Sequence, residues 1–379
     1  MKSQIPYYHP AWIEIDVAQF KKNIAILKQQ LSNSLLCLPV KANAYGHGLV
    51  EIGTAAQEYG VDYLAVSCLQ EGARLREAGI HIPILVMGAI HEDQVRALIE
   101  HNLEVTVASS FKADLLTQVC QQFGLRCRVH LEVDTGMQRT GMRKETALTL
   151  LKSMLNNPYL TVRGAYSHLA TADHKNDRVA LQQISQFQDF VEQAKRIASH
   201  KMIFHVANSG GLINYPQALF DMVRPGILAY GYYDKEVPAA YKDIKPFLSL
   251  KAKIAYFKVV EAGQGVSYGH HYKTPQTSRV VTIPVGYGDG YRRSLSTKAS
   301  VLIRGKRYPI IGAICMDQLM VNIGNDEAYV GDEAVLVGGQ GDEMISIHEI
   351  ASLCDTIAYE ILCAFNQRLP RTYVQGLAS

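Results

Sequence analysis

The chain has 379 residues, 48% of them hydrophobic and 19% charged, which is enough to bury a large core and to build two domains. A formal net charge of +3, with no basic run and no interleaving of aromatic with basic residues, gives no reason to expect nucleic acid as a partner. The opening Met-Lys-Ser-Gln-Ile-Pro-Tyr-Tyr-His-Pro carries no apolar core after its lysine, and no apolar run approaches the ~18 residues of a membrane span, so a cytoplasmic protein without a membrane partner is expected.

In chain order, the first apolar run covers 35–40 and ends on Lys41, after which Tyr45-Gly46-His47-Gly48 is turn material. A lysine at a strand's C-terminal lip is either an ordinary solvated charge or the desolvated amine of a Schiff-base lysine. Seven further runs follow at 63–67, 84–88, 104–108, 128–133, 162–168, 203–207 and 222–230. Segments between them, such as 50–59, 69–78 and 180–199, have helical spacing. Eight strand and helix units predict a parallel (β/α)8 TIM barrel, with a doubly wound sheet as the rival.

Active sites of such barrels gather at the C-terminal ends of the strands, and here those ends carry chemistry. They hold Lys41, the segment Asp134-Thr135-Gly136-Met137-Gln138-Arg139, His168, Asn208-Ser209-Gly210-Gly211, and Arg224-Pro225-Gly226-Ile227. Singly, Asp134 reads as a cap, His168 as a hydrogen-bonded core histidine and Gly210-Gly211 as a turn. Together they suggest a site, with Ser209 and the backbone of Gly226 and Ile227 where this fold binds phosphate.

Beyond about residue 233 the pattern becomes β-rich, with runs at 253–260, 279–284, 300–303, 320–323 and 333–337 and no amphipathic helix before 347–353. The expected division is a barrel over 1–235 and a mainly β domain over 236–379. Seven scattered cysteines (Cys37, Cys68, Cys120, Cys127, Cys315, Cys354 and Cys363) lack C-x-x-C spacing, which predicts core residues and neither a disulfide framework nor a metal site.

Several separated segments, in order, carry a family resemblance: Val40 to Gly48, Asp134 to Arg139, Gly265-Val266-Ser267-Tyr268-Gly269, Gly286-Tyr287-Gly288-Asp289-Gly290-Tyr291 and Ala313-Ile314-Cys315-Met316-Asp317-Gln318. Across nearly its whole length the chain resembles the alanine racemases, fold-type III pyridoxal-phosphate enzymes that work as head-to-tail homodimers. The resemblance implies pyridoxal 5'-phosphate as cofactor and interconversion of L- and D-alanine, supplying D-alanine for bacterial peptidoglycan. It implies that Lys41 holds the cofactor aldehyde and serves as one acid/base, and that Tyr45, Ser209, Gly226 and Ile227 hold the phosphate. Tyr268 from the partner subunit would be the base on the opposite face, linked to His168 and through it to Arg224 at the pyridine nitrogen. Arg139 and the backbone N–H of Met316, again from the partner, would bind the substrate carboxylate.

Two positions depart from the family pattern. Glu132 stands where many relatives carry a lysine that becomes carbamylated and orients the active-site arginine; it supplies a carboxylate directly, or only balances local charge. Gln367 stands where many relatives have a tyrosine near the substrate entrance, which brings serine or larger amino acids into consideration. A barrel-type amino-acid decarboxylase and a non-catalytic pyridoxal-phosphate carrier are the alternatives. Arg224 and Tyr268 argue against the first, and the β domain against the second.

Overall fold

The computed structural model describes residues 9–233 and 235–376. The described residues pack as two units, a barrel unit within Lys21–Ala44 and Gly48–Lys245, and a β-rich unit of those up to Phe20, Tyr45–His47 and those from Pro246 onward. A single cut after residue 235 therefore does not describe the packing. The cause is the first strand, β1 (Ala11–Asp16), whose alternating buried face reads like any other short apolar run. It pairs antiparallel with Leu248–Lys253 and parallel with Arg371–Val374, so β1 is stitched into the C-terminal sheet.

The barrel closes from eight parallel strands: β2 (Leu35–Pro39), β3 (Tyr63–Val66), β4 (Ile84–Val86), β5 (Glu104–Val107), β6 (Cys127–Glu132), β7 (Leu160–Tyr166), β8 (Ile203–His205) and β9 (Met222–Val223). Each lies within or overlaps one of the eight runs in the sequence. The doubly wound alternative fails because β9 pairs parallel with β2, Leu35 opposite Met222 and Leu36 opposite Val223, which closes the circle. The longest surrounding helix, Arg178–Ile197, shows why these segments are helical. Gln183, Ile184, Phe187, Phe190, Val191 and Ala194 recur at helical spacing and are buried, while Asp177 caps the N-terminus by accepting from Ala180 N–H.

Side chains two apart on a strand share a face. In β5 that pairs Glu104 with Thr106, and in β6 His130 with Glu132; all four are buried, with Thr106 opposite His130 in the ladder. The barrel interior is thus unusually polar.

In the β-rich unit a ten-stranded sheet includes β1, and the helix Ile347–Leu353 falls where the sequence places it. The expected run at 253–260 proves to be the junction of two strands, Leu248–Lys253 and Tyr256–Val260, that lie far apart in the sheet order. Ile254 N–H bonds to Asp332 and Ala255 N–H to Thr282, so the chain changes neighbours there without losing its hydrogen bonds.

Packing inside the barrel leaves little slack at β7. A Cβ on Gly164 would lie 2.2 Å from the Ile203 carbonyl oxygen and 2.8 Å from Nδ1 of His130. Gly164→Ala should therefore cost about 1–3 kcal/mol, the usual range for overpacking. A lower urea midpoint at unchanged m-value is expected, and an unchanged midpoint would contradict the packing described.

Candidate active site

Lys41 begins a turn of unusual hand. Ala42, Asn43, Ala44 and Tyr45 have φ of 53, 56, 52 and 51°, four successive left-handed residues without a glycine. L-residues resist this conformation by roughly 1–2 kcal/mol each, so neighbouring groups must hold it. Glu71 accepts from Ala42 N–H at 2.7 Å and, with its other oxygen, from Ser67 N–H at 2.9 Å and Ser67 Oγ at 3.1 Å. The Asn43 carbonyl accepts from Gly48 N–H at 3.0 Å, and the Asn43 side chain accepts from Leu49 N–H at 2.9 Å. The lysine backbone is thereby fixed at the end of β2. Tyr45 packs with the β-rich unit, its ring 5.9 Å from that of Tyr359.

The loop after β6 is equally constrained. Asp134 accepts from Gly136 N–H at 2.8 Å and Gln138 N–H at 3.2 Å, so it caps a turn instead of a helix, and Arg139 follows directly. Glu132 is 6% exposed and accepts from Thr140 Oγ1 at 2.7 Å and from the Tyr166 hydroxyl. Burial pushes its carboxyl above the usual range, against those hydrogen bonds and the charges of Arg139 and Arg224. Its described hydrogen bonds thus go to hydroxyls, and Arg139 reaches it through charge.

His168, just beyond β7, is the meeting point. Its imidazole is pushed down to about 3 by burial and then by the charges of Arg224, Arg139 and Lys41, so the ring is neutral. Its Nδ1 is buried and has no hydrogen-bond partner among the described residues. The dull reading of a satisfied core histidine does not hold.

Arg224, 3% exposed, follows β9. Its Nη1 donates to His205 Nδ1 at 2.5 Å and its Nη2 to the Ser167 carbonyl at 2.8 Å, while the guanidinium stacks 5.1 Å from the Tyr166 ring centre. Nε–H enters none of these bonds. Behind Arg224, His205 Nε2 meets His130 Nδ1 at 3.0 Å, and His130 Nε2 meets a Glu104 oxygen at 2.8 Å.

The loops after β8 and β9 bring together Ser209, Gly226 and Ile227, the residues expected at a phosphate position. Ser209 Oγ, buried, accepts from Leu228 N–H at 3.2 Å, which ties the two loops together and leaves its own O–H to donate. The N–H groups of Gly226 and Ile227, both buried, donate to none of the described residues. Gly210 has no room for a side chain, since a Cβ would lie 2.6 Å from the Ala172 carbonyl carbon. Orphaned buried N–H groups and a spare hydroxyl are the donor set an anion requires, so these residues fit a phosphate-bearing cofactor.

In the β-rich unit, Ser267 (φ 64°) turns the chain so that Tyr268 stands 72% exposed, and Ser267 Oγ donates to the Ala313 carbonyl at 2.6 Å. Met316 is 53% exposed; its carbonyl accepts from Gly288 N–H at 2.8 Å, while Tyr287 N–H donates to Cys315 at 3.1 Å. The two glycine-bearing segments and the Cys-Met-Asp segment of the sequence are therefore one hydrogen-bonded assembly, with the side chains of Tyr268 and Met316 exposed on it. Gln367 is exposed, between Asn366, which donates to the Gly288 carbonyl, and Arg368, which pairs with Asp317.

Lys41, Glu132, Arg139, His168, Ser209, Arg224, Gly226 and Ile227 thus share the C-terminal mouth of the barrel, and Tyr268 and Met316 are both exposed in the β-rich unit. Reading the sequence missed Glu71, Glu104, His130, Tyr166 and His205. A glutamate and two histidines inside apolar barrel strands were the available signal, because buried strands have no reason to carry charge unless it is paired.

The family model "Alanine racemase, N-terminal domain" matches residues 15–234, and "Alanine racemase, C-terminal domain" matches 247–373. The chain is 40% identical to an alanine racemase of Symbiobacterium thermophilum over 96% of this chain and 97% of the relative. An alanine racemase of Carboxydothermus hydrogenoformans is also 40% identical, over 96% and 100%. Among solved structures, alanine racemase from Clostridium difficile 630 superposes with a TM-score of 0.92 at 33% identity, covering 98% of each chain. A histidine racemase from Leuconostoc mesenteroides superposes at 0.88 with 28% identity, covering 97% and 98%. With both domain models matched in order and close relatives spanning its length, the chain belongs to the alanine racemase family.

Proposed function

We propose that this protein racemises alanine with pyridoxal phosphate, using Lys41 on one face of the substrate and Tyr268 of the partner subunit on the other. The observation that carries this reading is the barrel mouth itself. A lysine, a neutral histidine with an unpartnered Nδ1 and a buried arginine follow barrel strands at one mouth, where the loops after β8 and β9 hold the donors of an anion cradle. When bound, the cofactor supplies a conjugated ring that spreads the negative charge left on the α-carbon after its proton departs.

The chain's own groups do the rest. Ser209 and the N–H groups of Gly226 and Ile227 hold the phosphate, with Tyr45 a further phosphate ligand. Arg224, always charged, would sit at the ring nitrogen and disfavour a proton there. That limits how far charge drains from the α-carbon, so returning a proton to it outcompetes side reactions. The Lys41 amine takes or returns the proton on its face; the Tyr268 phenol does so on the other, as inversion requires. His168 is kept neutral and its Nδ1 is the group that phenol would engage. Arg139 and the Met316 N–H bind the carboxylate. The exposure of Tyr268 and Met316 in the β-rich unit supports their use by a second copy, as a head-to-tail homodimer. A cytoplasmic enzyme supplying D-alanine to peptidoglycan is the corresponding role in the cell.

A broader substrate range is the second reading. It is favoured by Gln367, exposed where many relatives have a tyrosine, and by the solved histidine racemase of the same fold. Chiral analysis of alanine, serine and histidine in deuterated solvent separates the two readings.

The same assay tests the two faces. Tyr268→Phe should slow α-proton removal from L-alanine by about 10² to 10⁴, the usual cost of losing a general base, and affect D-alanine far less. Small, equal effects on both enantiomers would make Tyr268 a packing residue.

Glu132 supplies its carboxylate without carbon dioxide, so stripping bicarbonate should leave the rate unchanged. Glu132→Gln removes a charge that acts on Arg139 and should raise KM for alanine more than it lowers kcat. An unchanged KM would place Glu132 outside carboxylate binding.

A further inference from the structure

Outside the groups just assigned, the largest unexplained feature is the file of buried polar side chains behind Arg224. It runs from Arg224 through His205 and His130 to Glu104, with contacts of 2.5, 3.0 and 2.8 Å. Glu104 opens β5, so it lies at the N-terminal mouth of the barrel, the end away from the candidate site. Its second oxygen faces Arg163 Nε at 3.5 Å and Arg128 Nε at 3.8 Å, side chains that are 44% and 38% exposed. Burial works against the Glu104 charge, but the His130 hydrogen bond and the two arginines outweigh it and hold the carboxyl below its usual range.

The ends of this file dictate its middle. A guanidinium can only donate and a carboxylate can only accept. His205 must therefore present a lone pair on Nδ1 to Arg224 and a proton on Nε2 to His130. His130 must then present a lone pair on Nδ1 and a proton on Nε2 to Glu104. Every hydrogen bond points the same way, from the active-site mouth to the far mouth. We infer that Glu104 is a positioning residue for the reaction: by fixing the polarity of His130 and His205, it keeps an acceptor under Arg224 and so sets how the guanidinium is presented to the cofactor ring nitrogen. This rests on the proposed placement of Arg224 at that nitrogen.

Without the carboxylate, His130 is free to turn its proton toward His205. His205 would then face Arg224 with an N–H, donor against donor, and the guanidinium would have to shift. Glu104→Gln keeps size and one acceptor but can also donate, so it no longer forces the direction. The primary readout is the tautomer state of His205, from ¹⁵N spectra of histidine-labelled, cofactor-free protein, assigned with His205→Asn. Wild type should show a single tautomer protonated on Nε2, and Glu104→Gln a mixture. In the loaded protein the variant should shift the cofactor absorption band and lower kcat about 10-fold, the scale of a lost charge-assisted hydrogen bond, with KM for alanine little changed.

If Glu104→Gln does not fold, the pair Glu104→Leu with His130→Leu removes both partners together, which costs less than orphaning one. It should again release the His205 tautomer. A His205 that stays protonated on Nε2 alone overturns the inference, even if activity falls, because the loss would then be merely structural. A released tautomer with unchanged absorption and kcat overturns it as well. A wild type that neither binds cofactor nor racemises would defeat the functional reading, and the cofactor-free spectra would still decide the polarity of the file.

Discussion

The barrel of this protein is built around a buried guanidinium. Arg224 has lost nearly all contact with water, and a charge so placed is tolerated only where acceptors surround it. His205, the Ser167 carbonyl and the face of Tyr166 supply that environment; His205 ends β8, Tyr166 ends β7 and Ser167 follows it. Much of the polar interior follows from this requirement. Tyr166 must also satisfy its hydroxyl, which it does through Thr106 and Glu132, while His205 must pass its own proton onward to His130. The cation proposed to limit charge flow into the cofactor ring is therefore the same one that organises the core beneath the site.

That coupling explains why the fold was more legible in the sequence than the site. Barrel strands are short apolar runs separated by helical spacing, and hydrophobic periodicity reports them well; all eight were recovered. β1 escaped because its role depends on pairing with strands more than 200 residues later, a long-range contact that no local pattern records. Residues at strand ends, such as Lys41, His168 and Arg224, stood out because polar groups follow apolar runs there. Glu104, His130 and His205 did not, since a single charge inside a run looks like noise until the closed barrel brings the three together.

The left-handed turn after Lys41 shows the same limit. Nothing in Ala42-Asn43-Ala44-Tyr45 signals four residues of positive φ, and the conformation depends on Glu71, which lies on the helix after the next strand. The turn fixes the backbone of Lys41 at the end of a barrel strand, the kind of preorganisation that its proposed role in proton transfer at a defined face requires. Glu132 likewise became interpretable only in three dimensions: its hydrogen bonds end on Thr140 and Tyr166, and its influence on Arg139 is electrostatic.

The central claim is that one active site is shared between two copies of the chain, with Lys41 from one and Tyr268 from the other. Mixing two inactive proteins tests it most directly. Lys41→Ala and Tyr268→Phe, each inactive alone, form hybrid dimers on subunit exchange in which one site carries both lesions and the other carries neither. Racemase activity should appear on mixing and rise with the fraction of hybrid. Continued inactivity after verified exchange would contradict a shared site and require Lys41 and Tyr268 to act within a single chain.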